Sequence, residues 1–107
     1  MEKLAVLVER SQQRDEVAYA AIIEQFKNMA YGYAFSIVGD FHWSQDIAQD
    51  AFIETWECLH TLRNPRAFPG WFKRIVFKHC ERFLRGNWTI LQHWRYEATQ
   101  RIESFAQ

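Results

Sequence analysis

The sequence predicts an all-α domain, a compact bundle of about four helices with a further helix at its C-terminal end. Three observations carry this. Apolar residues recur every three or four positions, and no stretch alternates with the two-residue period of a half-buried strand. Only two prolines and four glycines interrupt the chain, so the breaks between elements are few and can be placed. With 107 residues, 49% of them hydrophobic and 17% aromatic, the chain is long enough for one ring-rich core and too short for two ordinary domains.

A short first helix carries Leu4, Leu7 and Val8. Asp15 suits the N-cap of a long second helix, whose apolar positions run Ala18, Ile22, Phe26, Met29, Tyr33 and Ile37 before Gly39 ends it. Gly32 weakens the middle of that helix slightly. Ser44 is the expected N-cap of a third helix reaching about His60, with Asp46 in its first turn, where a negative charge meets the positive end of the helix dipole. Asn64 and Pro65, then Pro69 and Gly70, mark the loop into a fourth helix that runs to Gly86. Beyond it Trp88, Leu91, Trp94, Ala98, Ile102 and Phe105 keep an approximate helical spacing. The expected organisation is a domain over 1–86, followed over 87–107 by a helical extension or the start of an interdomain linker. No internal repeat or low-complexity tract is present.

A formal net charge of zero hides a sharp division. From Asp40 to His60 there are five carboxylates (Asp40, Asp46, Asp50, Glu54, Glu57) and no Lys or Arg. From Arg63 to Arg85 there are seven cations (Arg63, Arg66, Lys73, Arg74, Lys78, Arg82, Arg85) against the single Glu81. Such a dipole fits two partners of opposite charge and limits non-specific adhesion to nucleic acid. No run approaches the roughly 18 apolar residues of a membrane span, and the N-terminus lacks the basic and apolar regions of a signal peptide, so the expected location is cytoplasmic, with no membrane partner. Cys58 and Cys80 are too few for a disulfide framework and are expected to be small buried hydrophobes.

These features also bear on catalysis. The four histidines, His42, His60, His79 and His93, form no i, i+4 pair, and the cysteines have no CxxC spacing. There is no Ser, His and Asp pattern and no phosphate-cradling glycine loop. The expectation is a protein that is not an enzyme and uses no metal and no cofactor.

Winding the third helix at about 100° per residue separates two arcs. Ala48, Ala51, Phe52, Thr55, Cys58 and Leu59 form the buried side. Opposite them Asp46, Gln49, Asp50, Ile53, Glu57 and His60 share an exposed stripe in which carboxylates surround an isoleucine. That pattern suits either a merely solvated face or a helix-in-groove contact, with Ile53 as apolar anchor and the acids pairing with Lys or Arg of a partner. On the fourth helix Trp71, Arg74, Lys78, Arg82 and Arg85 fall within an arc of roughly 80°, opposite a core side of Phe72, Ile75, Val76, His79 and Phe83. Like charges three and four apart weaken an isolated helix. Helix stability therefore does not explain the row, which suits either a solvated face with Trp71 half-buried in the core or an anionic partner, since cations track a phosphate backbone while a ring stacks on a base.

The succession DEVAYAAIIEQF, then GDFHWSQDIAQDAFIETW, then a short loop, then AFPGWFKRIVFKHCERFLRG resembles region 2 of the sigma-70 family of bacterial RNA polymerase sigma factors, above all the small extracytoplasmic-function group. The resemblance covers about 1–86 and is most specific over 46–56 and 68–75. It implies a transcription initiation domain with two partners. Asp46, Gln49 and Asp50 would dock on the clamp helices of the polymerase large subunit, with Phe52 in the core. Ile53 and Glu57 extend that surface by their place on the stripe. Promoter DNA, in particular the single-stranded non-template minus-ten element, would be recognised and melted by the loop over 61–67 and the helix beginning near Trp71. Extruding a base costs a few kcal/mol, and a loop offering the polar edge of Asn64 beside Arg63 and Arg66 suits that task. Asn64 and Pro65 also suit a helix cap and first turn.

Two positions depart from the family pattern: Lys78 stands where many members have Asn, and Arg82 where many have Asp. The fourth helix is thus more basic than usual, and a base preference does not carry over. No counterpart of the second sigma domain, which reads the minus-thirty-five element, is found in the sequence. An anti-sigma protein is a further partner that the resemblance implies. The alternative from the residues alone is a helical protein-interaction adaptor that uses Ile53 and its acids and binds no DNA.

Overall fold

The computed structural model describes residues 3–86. The chain runs through α1 (Leu4–Gln12), α2 (Glu16–Val38), α3 (Phe41–Cys58), two single-turn 3-10 helices (Leu59–Thr61 and Pro65–Ala67) and α4 (Phe68–Gly86). The helix expected over 88–107 lies outside the described residues. Among those described, no helix is long and apolar enough to cross a membrane.

α1 buries Leu7 and Val8, and Ser11 enters the core only because its hydroxyl donates to the Leu7 carbonyl at 2.7 Å. Arg14, at φ 68°, turns the chain sharply. Asp15 then does two jobs. One carboxylate oxygen accepts from the N–H groups of Val17 and Ala18, and the other accepts from Nε and Nη2 of Arg10 at 3.0 and 2.8 Å. The expected cap is therefore formed and is itself anchored to α1.

α2 is the central helix and packs against α1, α3 and α4. Its buried Ala18, Ala30 and Ala34 allow close approach, while Ile22 and Val38 fill the space between neighbours. Gly39 ends it in the left-handed region at φ 71°, donating to the Phe35 carbonyl at 2.8 Å. α3 starts immediately afterwards. Asp40, not Ser44, is its N-cap and accepts from the Trp43 N–H at 2.8 Å. Ser44 is buried one turn in, its hydroxyl given to the Asp40 carbonyl. Both residue types cap well, and the Gly39 reversal lets the earlier one win. Asp46 consequently lies in the second turn, beyond the main reach of the dipole.

Buried rings hold the bundle together. Phe72 stacks on Phe52 and Phe68 at centroid distances of 4.7 and 5.5 Å, and Phe26 meets Phe68 edge-on at 5.2 Å. Tyr19 packs 4.8 Å from Trp56, and its hydroxyl donates to the Phe52 carbonyl. Burial raises that phenol above its ordinary pKa. α4 begins earlier than expected, at Phe68, so Pro69 and Gly70 belong to its first turn and not to the loop. Proline is well placed there, where its missing N–H would have no helical partner. Cys80 is buried as expected, its thiol pushed up to about 11 by desolvation, whereas Cys58 is only half-buried.

Candidate protein and nucleic-acid interfaces

α3 carries the acidic stripe much as its periodicity predicts. Gln49, Asp50, Ile53, Glu57 and His60 are exposed, with Ile53 at 59%. Asp46 is half-buried, and His42 Nε2 lies 3.5 Å from its carboxylate. Phe52 is core, packed on Phe72. Ile53 is not an isolated apolar residue. It borders a groove of about 340 Å³ between α2 and α3, formed with Tyr19, Ala20, Ile23 and Trp56 and flanked by Glu16 and Glu57. The α2 side of this groove was missed from sequence, since only helix packing brings Ile23 beside Ile53. A helix laid along the stripe would bury an apolar anchor between carboxylates, which selects a partner with cations around an apolar residue.

Arg14 supports the C-terminal end of the stripe. Its guanidinium donates to the Trp56 carbonyl at 2.7 Å and lies 3.9 Å above the Trp56 ring. Gln12 reaches across from α1 to donate to the carbonyls of Leu59 and Leu62, at 3.1 and 2.8 Å. Both contacts fasten the chain where α3 hands over to the loop.

In that loop Asn64 accepts from the Arg66 N–H at 3.1 Å, so the capping role is realised, and Arg63, Asn64 and Arg66 are all exposed. The loop faces the start of α1 across an open cleft lined by Lys3, Val6, Glu9, Asn64 and Arg66.

The basic row on α4 is exposed at Arg74, Lys78, Arg82 and Arg85, while Trp71 is half-buried against the core, 6.1 Å from the Phe68 ring. The row is not electrostatically uniform. Lys78 Nζ donates to Glu54 of α3, whose other oxygen lies 3.3 Å from His79 Nε2. The Lys78 hydrogen bond is the main reason the Glu54 carboxyl titrates below its ordinary range. Arg82 lines a cleft between α3 and α4 together with Trp43, Asp46, Gln49, Asp50 and Phe83. The two charged faces therefore meet along one seam. Arg74, Arg82 and Arg85 form no ion pair within 4 Å among the described residues. No group of three or more His, Cys, Asp or Glu among the described residues is arranged to hold a metal ion.

The family model "Sigma-70 region 2" matches residues 22–90. RNA polymerase sigma-H factor of Pseudomonas aeruginosa is 32% identical over 78 residues, covering 73% of this chain and 40% of that protein. ECF RNA polymerase sigma factor SigW of Bacillus subtilis is 32% identical over 62 residues, covering 58% and 33%. ECF RNA polymerase sigma-E factor of Haemophilus influenzae is 28% identical over 78 residues, covering 73% and 41%. The chain thus spans less than half the length of these relatives. Its fold is similar to that of an engineered region 2 of sigmaE solved by NMR in complex with GTAAAA, with a TM-score of 0.74 at 24% identity over 80% of this chain and 90% of that one. With the family model matching well over half of the sequence and its relatives named as sigma factors, the chain belongs to the sigma-70 region 2 family, in its extracytoplasmic-function type.

Proposed function

We propose that this domain is a non-enzymatic transcription initiation module that acts inside the cell, binding core RNA polymerase and opened minus-ten promoter DNA on two adjoining faces. Asp46, Gln49, Asp50, Ile53 and Glu57 of α3 meet the polymerase clamp helices. Arg63, Asn64 and Arg66 of the loop, with Trp71, Arg74, Arg82 and Arg85 of α4, meet the DNA. Lys78 joins them only by leaving Glu54. An anti-sigma protein would act by covering either face.

The observation that carries the reading is the placement of an exposed isoleucine among carboxylates on α3 beside a row of exposed arginines on α4. Neighbouring surfaces of opposite sign favour one cationic and one anionic partner and disfavour exchange between them. That sigmaE region 2 forms a complex with GTAAAA supports the DNA half. The Glu54 tie on Lys78 favours the second reading, a protein adaptor without DNA binding, because it removes one cation from the row. Co-purification with core polymerase tests the first half. Salt-dependent binding of the resulting holoenzyme to a single-stranded promoter oligonucleotide, above that of core polymerase alone, separates the two readings.

A further inference from the structure

A second surface of α4, outside the row that its periodicity marks, combines rings and cations. Between α2 and α4 runs a groove of about 340 Å³ lined by Tyr33, Gly70, Lys73, Arg74 and Phe77. Phe77 stands 43% exposed at the middle of α4. Being next in sequence to Lys78, it points about 100° away from it round the helix, toward α2 and not toward Glu54. Lys73 Nζ lies 4.6 Å from the centre of the Tyr33 ring, so this cation is held at the groove edge by an aromatic face instead of by a carboxylate. Arg74 belongs both to the groove and to the basic row. Gly70 contributes no side chain, and a Cβ there would meet nothing within 4 Å, which leaves that end open.

We infer that this groove is a nucleotide-stacking site, in which Phe77 takes the face of one unpaired base, Tyr33 walls the groove and holds Lys73, and Lys73 and Arg74 take the adjoining phosphates. The inference rests on the DNA-binding reading above and adds residues to it. Two aromatic rings beside two cations, with no carboxylate in the lining, match what a single strand presents: π-faces in series along an anionic backbone. Continuity through Arg74 lets a strand pass from the row into the groove without crossing the acidic seam at Asp46 and Asp50. Stacking of this kind tolerates any base, so the groove would hold the strand without choosing its sequence.

The test uses the full chain in complex with core polymerase and, as probe, an oligodeoxyadenylate in which one adenine is replaced by 2-aminopurine, read by anisotropy and by stacking-induced quenching. Phe77→Ala should weaken binding roughly five-fold to hundred-fold, abolish the quenching at one nucleotide position, and leave the salt slope unchanged. Phe77→Trp should restore both. Lys73→Gln should instead make the log-log salt slope shallower by about 0.7. Folding of each variant is checked by circular dichroism, and Phe77 is exposed enough for its truncation to be tolerated. If wild type binds with a salt dependence absent from core polymerase while Phe77→Ala binds and quenches equally well, the groove is not a base site and the DNA-binding reading stands. Loss of core-polymerase affinity in Phe77→Ala, with DNA binding unchanged, overturns the inference in favour of a protein contact. Absence of DNA binding above core polymerase for wild type overturns both.

Discussion

Replacing Glu54 by Gln separates the two charged faces most directly. In the folded domain Glu54 accepts from Lys78 and lies beside His79, so the cation in the middle of the basic row is committed to α3. The paired side chains are 47% and 26% exposed, a setting in which an ion pair contributes about 0.2 to 1 kcal/mol. Glu54→Gln should lower stability by no more than that. The larger consequence is for DNA. On single strands each neutralised phosphate contributes about −0.7 to the log-log dependence of affinity on salt. Three phosphates held by Arg74, Arg82 and Arg85 contribute about −2.1 to the slope, and a released Lys78 takes the contribution of the row to about −2.8. Low-salt affinity should rise as well, because the site loses a negative charge beside its positive row. The measurement is anisotropy of a labelled single-stranded oligonucleotide titrated with holoenzyme across a salt series. In a Lys78→Ala background the same substitution should no longer steepen the slope. An unchanged slope, or weaker low-salt binding by the folded Glu54→Gln variant, refutes the competition between Glu54 and phosphate for Lys78.

Three further outcomes follow from named contacts. Charge reversal at Asp50, or at Asp46 with Asp50, should weaken core-polymerase binding with the fold intact; a desolvated pair loses about 2 to 5 kcal/mol on truncation while a rim charge mainly alters association rate, so Asp50, beside Ile53, should outweigh Glu57. Unchanged affinity of the folded double variant in a pull-down titration removes α3 from the interface. Phe72→Ala, at a fully buried ring that stacks on both Phe52 and Phe68, should cost about 3 to 5 kcal/mol, visible as a large drop in the urea midpoint; a midpoint within error of wild type would contradict this core. The Asp15 carboxyl is held below its ordinary value, first by the Arg10 hydrogen bond and then by the Ala18 N–H. A depressed carboxylate stabilises the fold above its unfolded pKa and loses that contribution as pH falls through the folded value. Asp15→Ala should therefore melt earlier than wild type at neutral pH, with the gap narrowing in acid; a gap independent of pH would sink the ionic part of the cap.

Helix faces and several helix ends were legible in the chain because they depend on residues within one or two turns. The inward Ala48, Ala51, Phe52 and Thr55 of α3, the inward Phe72, Ile75 and Val76 of α4, the Asp15 cap and the Gly39 stop all follow from local periodicity and local hydrogen-bonding chemistry. Errors arose where two local solutions were close in free energy. Asp40 and Ser44 are comparable caps, and Pro69 suits a first helical turn as well as a loop. Nothing local distinguishes them; the packing of the following helix does.

By itself, the sequence determined an all-helical bundle, the sides of α3 and α4 that face inward, and the opposite signs of their outer faces, since each of these is a property of a single helix wound at 3.6 residues per turn. Only the tertiary structure decided which of those outward residues are available. Glu54 takes Lys78 from 24 positions away, Arg82 enters the cleft of Asp46 and Asp50, and Tyr33 meets Lys73 and Phe77 to form the α2–α4 groove. Such pairings depend on the crossing and axial offset of two helices, which are set by how Phe26, Phe52, Phe68 and Phe72 interlock in the core. A side chain's partner across a helix interface is thus fixed by core packing, a non-local quantity that no single-helix pattern contains.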